Sequence, residues 1–170
     1  MKRLFKEGRS EEYLIGMLQE SIIAEQIAGD FYRYIAQKIK NGNIRRMFIN
    51  FGDEEAEKHK KYLNDRLKLI TGRVYTPDLN KLDTNIKVSS FSLIGALKMA
   101  KESEKKAMEF YEEAKKKDEE FRKVYDQIIA EEKKHWLAID REKCFQEEKE
   151  EFFHEDKGTR LLCLLMQSWR

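Results

Sequence analysis

The segment Ile129-Ala130-Glu131-Glu132-Lys133-Lys134-His135-Trp136 carries a carboxylate and an imidazole, Glu132 and His135, three residues apart. On an α-helix two such positions are about 60° apart, so both side chains leave one face. The rest of that face is apolar, with Val124, Ile128 and Ile139 at steps of three and four. An ionised Glu is almost never buried without a partner, so a Glu and a His on a core-facing stripe need an explanation. Helical bundles supply one in a metal pair, held by one Glu from each of two helices and a Glu-x-x-His from each of the other two. The chain would then have to furnish three further elements.

Four helices are predicted to position them. Ser10 is a suitable N-cap, followed by the period Leu14, Leu18, Ile22, Glu25, Ala28, Tyr32, Ile35, Ile39. Asn41-Gly42-Asn43 is expected to stop this helix, because Asn and Gly tolerate the left-handed conformation. A second stripe runs Ile44, Phe48, Phe51, Glu55, His59, Leu63, Leu67 and ends near Thr71-Gly72. Residues 73 to 88, with the only proline (Pro77), break the periodicity and read as a long crossover. A third helix is expected from Ser89 or Ser90, with the stripe Leu93, Leu97, Ala100, Glu104, Ala107, Tyr111, Ala114. Asp118 is placed to cap a fourth helix reaching about residue 150. Short, long and short connections between long helices predict an all-α four-helix bundle over residues 1–150. Residues 151–170 form a tail whose apolar run Leu161–Met166 suggests a short C-terminal helix that packs back or makes a dimer contact.

Composition narrows the function classes. The chain has 170 residues, a net charge of +2 and 39% charged residues of both signs interspersed, which argues against nucleic acid or an anionic membrane as partner. No stretch reaches the roughly 18 apolar residues of a membrane span, and the first residues lack a signal-peptide core, so a cytoplasmic location is expected. The two cysteines, Cys144 and Cys163, form no Cys-x-x-Cys, which rules out a zinc ribbon or a rubredoxin-type iron site within this chain. The phenylalanines and methionines are expected in the core, Trp136 in a packing role, and His154 in solvent. With 32 acidic residues, chance neighbours are numerous, so Glu54, Glu57 and Glu131 are read as surface groups or as supports to the site.

An internal repeat ties the candidates together. Glu25-x-x-Ala28-x-x-Phe31-Tyr32 recurs as Glu104-x-x-Ala107-x-x-Phe110-Tyr111. In each copy the Glu faces the core, the Ala lets a neighbouring helix approach, and the Tyr follows two turns on along the same face. His59 and His135 sit in Glu-rich settings on the other two helices. Over about residues 10 to 145 this resembles the rubrerythrin branch of the ferritin-like di-iron carboxylate proteins. The resemblance implies a ferritin-like bundle binding two non-haem irons per chain through Glu25, Glu104, Glu132, His135 and His59, with Tyr32 and Tyr111 hydrogen-bonding to the site. Manganese or a mixed pair suits the same oxygen and nitrogen donors.

The chain departs from that family in two respects. The residue three before His59 is Ala56, while Glu55 lies four before it. In a regular helix Glu55 and His59 would be about 40° apart and still share a face, and a local π-bulge would accommodate an extra residue. The other reading is that Ala56 marks a lost ligand. The second departure is the missing rubredoxin-type iron site, so an external electron-donor protein is expected. The resemblance implies a peroxidase-type oxidoreductase acting on hydrogen peroxide or dioxygen, in a homodimer or larger homo-oligomer. A ferroxidase or iron-storage protein, or a non-catalytic bundle acting through a partner, are the alternatives.

Overall fold

The computed structural model describes residues 4–78 and 92–153. The remainder of the crossover, with the expected helix start at Ser89 or Ser90, and the tail with His154, Cys163 and the apolar run 161–166, lie outside the described residues. Helix α1 spans Leu4–Lys38 and α2 spans Gly42–Asp53. A π-helical turn at Glu54–His59 leads into α3, Lys60–Thr71. Helix α4 spans Leu93–Lys117 and α5 spans Arg122–Phe153. The backbone stays right-handed helical through the junctions at Glu54 and Lys60, so α2, the π turn and α3 form one continuous rod. Helix α1 packs against this rod and α4 against α5, giving two helical hairpins joined by the crossover. No helix among the described residues is long and apolar enough to cross a membrane.

Three local expectations are corrected. Helix α1 begins at Leu4, so Ser10 lies inside it rather than at its cap; Leu4, Phe5, Lys6 and Glu7 carry no helix breaker that would delay the start. The Asn41-Gly42-Asn43 turn does not use the left-handed conformation. Asn41 instead caps α2, its side-chain oxygen accepting from the Asn43 and Ile44 amides at 2.9 and 3.3 Å. The left-handed position is Gly72, with φ 74°, whose amide donates to the Lys68 carbonyl at 2.8 Å and ends the rod. Asp118 does not cap α5. It is buried, its carboxylate accepting from Arg66 at 2.9 and 2.6 Å and from the Tyr125 hydroxyl at 3.3 Å. It therefore anchors one hairpin to the other, and a 3-10 turn at Glu119–Phe121 precedes α5. Helix α4 is capped by Ser92, which accepts from the Gly95 amide at 3.3 Å.

The apolar side chains divide into two clusters. One holds Tyr32, Ile39, Phe48, Phe51, Leu97 and Ile139, and the other Leu18, Ile22, Leu63, Leu67, Tyr125 and Ile128. Along every long helix one cluster is followed by the other, with a Glu or His in between: Glu25 on α1, Glu55 and His59 on the π turn, Glu104 on α4, Glu132 and His135 on α5. The bundle thus has apolar ends and a buried polar waist. Phe110, Phe145 and Met99 contradict the expected burial of all phenylalanines and methionines, being 38, 48 and 53% exposed. Their helix positions lie off the core stripe, and single exposed apolar residues are common on soluble proteins.

Candidate metal centre

The six candidate ligands predicted from the sequence converge in the waist. Glu25, Glu55, His59, Glu104, Glu132 and His135 are each no more than 4% exposed, too deep for solvent to satisfy their charges. Their atoms form two overlapping groups. Glu25, Glu55, His59 and Glu132 bring one donor atom each within 4.8 Å of one another, and so do Glu55, Glu104, Glu132 and His135. Glu55 and Glu132 belong to both groups, while Glu25 with His59 and Glu104 with His135 sit at the two ends.

The two ends are near-copies. The His59 Nδ1 atom lies 2.8 Å from Glu55, 3.3 Å from Glu132 and 3.6 Å from Glu25. The His135 Nδ1 atom lies 3.0 Å from Glu55, 3.5 Å from Glu132 and 3.8 Å from Glu104. Each Nε2 atom points outward to another acid: that of His59 to Glu131 at 2.9 Å, that of His135 to Glu54 at 3.2 Å. Lys58 in turn meets Glu131 at 2.5 Å. The tyrosines cross over between the repeats. Tyr32 donates to Glu104 and Tyr111 donates to Glu25, so each copy of the Glu-x-x-Ala-x-x-x-Tyr frame braces the carboxylate of the other.

The π turn resolves the departure at Ala56. Glu54-Glu55 precedes His59 and Glu131-Glu132 precedes His135, but the first stretch contains one residue more. The wider turn absorbs it and returns Glu55 and His59 to the face that an Glu-x-x-His would occupy. Ala56 is buried elsewhere, against the α1 backbone. A Cβ on Gly29 would lie 2.7 Å from the Ala56 Cβ and 2.8 Å from the Gly52 carbonyl oxygen. Only small residues fit that crossing. Deleting the exposed Glu57 should therefore convert the turn to α-helix, leave the thermal midpoint within about 4 °C (roughly 1 kcal/mol for a chain of this size), and preserve the Glu55–His59 pairing. Thermal unfolding with metal titration checks it; a loss of cooperative folding would show that the π turn is not a single inserted residue.

Protonation in the waist follows from burial and neighbours. Burial pushes the Glu25 carboxyl well up, reinforced by the charges of Glu55 and Glu132 despite the nearby His59 imidazole. Burial and then the Glu132 charge do the same for Glu104. For Glu55 burial acts upward, but the neighbouring imidazoles of His135 and His59 win and hold it far below the usual carboxylate range. Glu132 is likewise lowered, with burial and Glu55 opposing and the two imidazoles prevailing. Burial disfavours both imidazolium ions, yet the surrounding carboxylates raise His59 strongly and His135 to about 9. The two shared carboxylates are thus pushed towards the ionised form and both imidazoles towards the protonated form, while burial pushes the outer carboxyls towards the neutral form.

The residues fit a pair of divalent cations. Glu55 Oε1, Glu132 Oε2 and His135 Nδ1 are buried with no hydrogen-bond partner among the described residues, although the Glu55 and His135 atoms are only 3.0 Å apart. The outward hydrogen bonds of both imidazoles to Glu131 and Glu54 are the kind that orients a metal-binding His and fixes its tautomer. Four carboxylates and two imidazoles are hard and borderline donors of the type that takes iron or manganese. A cavity of about 310 Å³ reaches this donor set between α1 and α4, with Glu25, Glu55, Glu104 and Glu132 at its floor beside Tyr32 and Tyr111.

The rubrerythrin family model matches residues 16–143. The chain belongs to the rubrerythrin family. No curated protein and no solved structure shows significant similarity to it. Rubrerythrins usually bind iron, and the buried carboxylate–histidine cluster is compatible with a di-iron site. Sequence reasoning did not assign specific partners to Glu54 and Glu131. The usable signal was the Glu-Glu doublet before each His, in which the second member faces inward and the first reaches the opposite imidazole. Trp136 is partly buried with the Lys101 ammonium 4.5 Å from its ring centre, consistent with packing.

Proposed function

We propose that this rubrerythrin-family protein is a non-haem di-iron oxidoreductase that reduces hydrogen peroxide, drawing electrons from an external donor protein. The observation that carries the reading is the pair of four-residue groups sharing Glu55 and Glu132, set at the floor of a cavity. Glu25 and His59 would hold one iron and Glu104 and His135 the other, with Glu55 and Glu132 within reach of both. The iron pair, when bound, supplies two electrons and Lewis acidity for O–O cleavage.

The chain supplies geometry and proton control. Tyr32 and Tyr111 donate to Glu104 and Glu25 and so fix the rotamers of the terminal carboxylates. Glu131 and Glu54 keep the two imidazole rings turned with Nδ1 inward. Apolar clusters flank the site at both ends of the bundle, and the cavity reaches it between α1 and α4. Metal ligands must be deprotonated, and burial and neighbouring charges push the outer carboxyls and both imidazoles towards their protonated forms, so metal uptake should weaken as pH falls.

The test is anaerobic reconstitution with ferrous iron, metal analysis, and rapid mixing with one equivalent of peroxide. Two irons per chain and oxidation at least tenfold faster with peroxide than with an equal concentration of dioxygen are expected, read from the near-ultraviolet absorption of ferric iron. Faster oxidation by dioxygen would favour a ferroxidase, and failure to bind iron would favour a non-catalytic bundle.

A further inference from the structure

The cavity between α1 and α4 is far larger than peroxide needs. A water molecule's share of liquid volume is about 30 Å³, and hydrogen peroxide is one oxygen larger, whereas the cavity measures about 310 Å³. That lies at the lower end of pockets that hold small organic molecules, roughly 300–1,000 Å³. Its walls above the floor are mostly small or apolar: Ala24 and Ala28 from α1, Ala107 and Phe110 from α4. Ser21 and Ser103 interrupt them, but the Ser21 hydroxyl is committed to the Met17 carbonyl at 2.7 Å. The charged side chains at the rim, Glu20 and Lys106, are exposed.

The repeat explains the shape. Ala28 and Ala107 occupy matching places in the two copies of the frame, one turn beyond Glu25 and Glu104. Both line the cavity. The small side chains were expected to let helices approach; here they also leave room directly above the carboxylate floor.

We propose that this cavity binds organic hydroperoxides, with the apolar body between α1 and α4 and the O–OH head at the floor. This rests on the di-iron peroxidase reading above. An uncharged head suits the site, because the groups beside it are the carboxyls of Glu25, Glu55, Glu104 and Glu132 and the hydroxyls of Tyr32 and Tyr111, and the cavity's lining offers an anionic head no cation except the exposed Lys106. The net conversion is ROOH + 2 H⁺ + 2 e⁻ → ROH + H₂O: the O–O bond breaks, both oxygens are reduced, and the external donor protein replaces the two electrons taken from the reduced metal pair. Ala28 and Ala107 set the size of the body accepted.

Two measurements on the full chain test the assignment. In the first, metal-free protein is titrated with 2-phenyl-2-propanol, the alcohol left by cumene hydroperoxide, and alanine methyl signals are followed by NMR. Saturable shifts at Ala24 and Ala28, weakened at least fivefold in Ala107→Leu, are expected; no saturable shift, or tighter binding of hexanoate than of the alcohol, overturns the proposal. In the second, the iron-loaded protein is mixed with cumene hydroperoxide and with hydrogen peroxide. The ratio of the two rates should fall at least tenfold in Ala107→Leu and in Ala28→Leu, and an unchanged ratio in both overturns the size-limiting role. Failure to bind iron would remove the peroxidase reading while the NMR titration still decides whether the cavity takes an uncharged organic ligand.

Discussion

Glu132→Ala should reduce the iron content of reconstituted protein from two per chain to essentially none, while far-ultraviolet circular dichroism stays unchanged. Glu132 reaches both four-residue groups, so its loss takes a donor from each end of the site. Changing an outer-sphere partner of a metal ligand costs about 10–100-fold in affinity, and the loss of a shared carboxylate should exceed that at both positions. Glu25→Ala is the contrasting variant, because Glu25 belongs only to the group around His59; it should weaken one metal and spare the other. The fold should survive Glu132→Ala because the Glu25 and Glu104 carboxyls, which burial pushes towards the protonated form, stay within 3.6 and 3.8 Å of the two imidazoles. Releasing a proton from either carboxyl restores the negative charge that the imidazolium ions need, without an unpaired ion left in the core. Iron analysis beside the circular dichroism spectrum decides it, and retention of both irons would show that Glu132 is not a shared ligand.

The positions of Glu25, Glu104, Glu132 and His135 were legible because each interrupts an apolar stripe of period 3.6, and a buried acid on such a stripe needs a counter-charge. The pairing of Tyr32 with Glu104 and of Tyr111 with Glu25 was not, because it crosses from one repeat to the other and depends on how the hairpins face each other. A repeat shows which residues are equivalent, not which touch. The helix ends were less legible still. Asn41 and Gly42 are compatible with stopping one helix or starting the next, and only the accepted amides of Asn43 and Ile44 distinguish the two. Asp118 matched a capping pattern, but the approach of Arg66 from a helix 52 residues away drew its carboxylate elsewhere. At Glu55 two readings stood open, since spacing alone does not reveal whether a helix widens locally. The stretch before His59 carries one residue more than the one before His135, and the π turn absorbs it while Ala56 sits at the close crossing of α1 at Gly29.

That crossing leads to the second large effect. Gly29→Ala would place a Cβ 2.7 Å from the Ala56 Cβ, 2.8 Å from the Gly52 carbonyl oxygen and 3.2 Å from the Ala56 amide nitrogen. None of these atoms belongs to a flexible side chain, and carbon atoms pack best at about 3.5–4.0 Å, so α1 and the rod would have to separate by roughly 1 Å. Overpacking of this kind costs about 1–3 kcal/mol, which for a chain of this size lowers the thermal midpoint by about 3–10 °C. The displacement would fall on the π turn, where Glu55 adjoins Ala56 and serves both metal groups. Iron affinity should therefore drop along with stability, although Gly29 belongs to neither group of ligands. Adding Ala56→Gly removes the nearest of the three contacts and should recover part of both losses. Thermal unfolding and iron titration of the single and double variants separate the contributions: a destabilised single variant with unchanged iron affinity would mean that the helix crossing supports the bundle without placing Glu55.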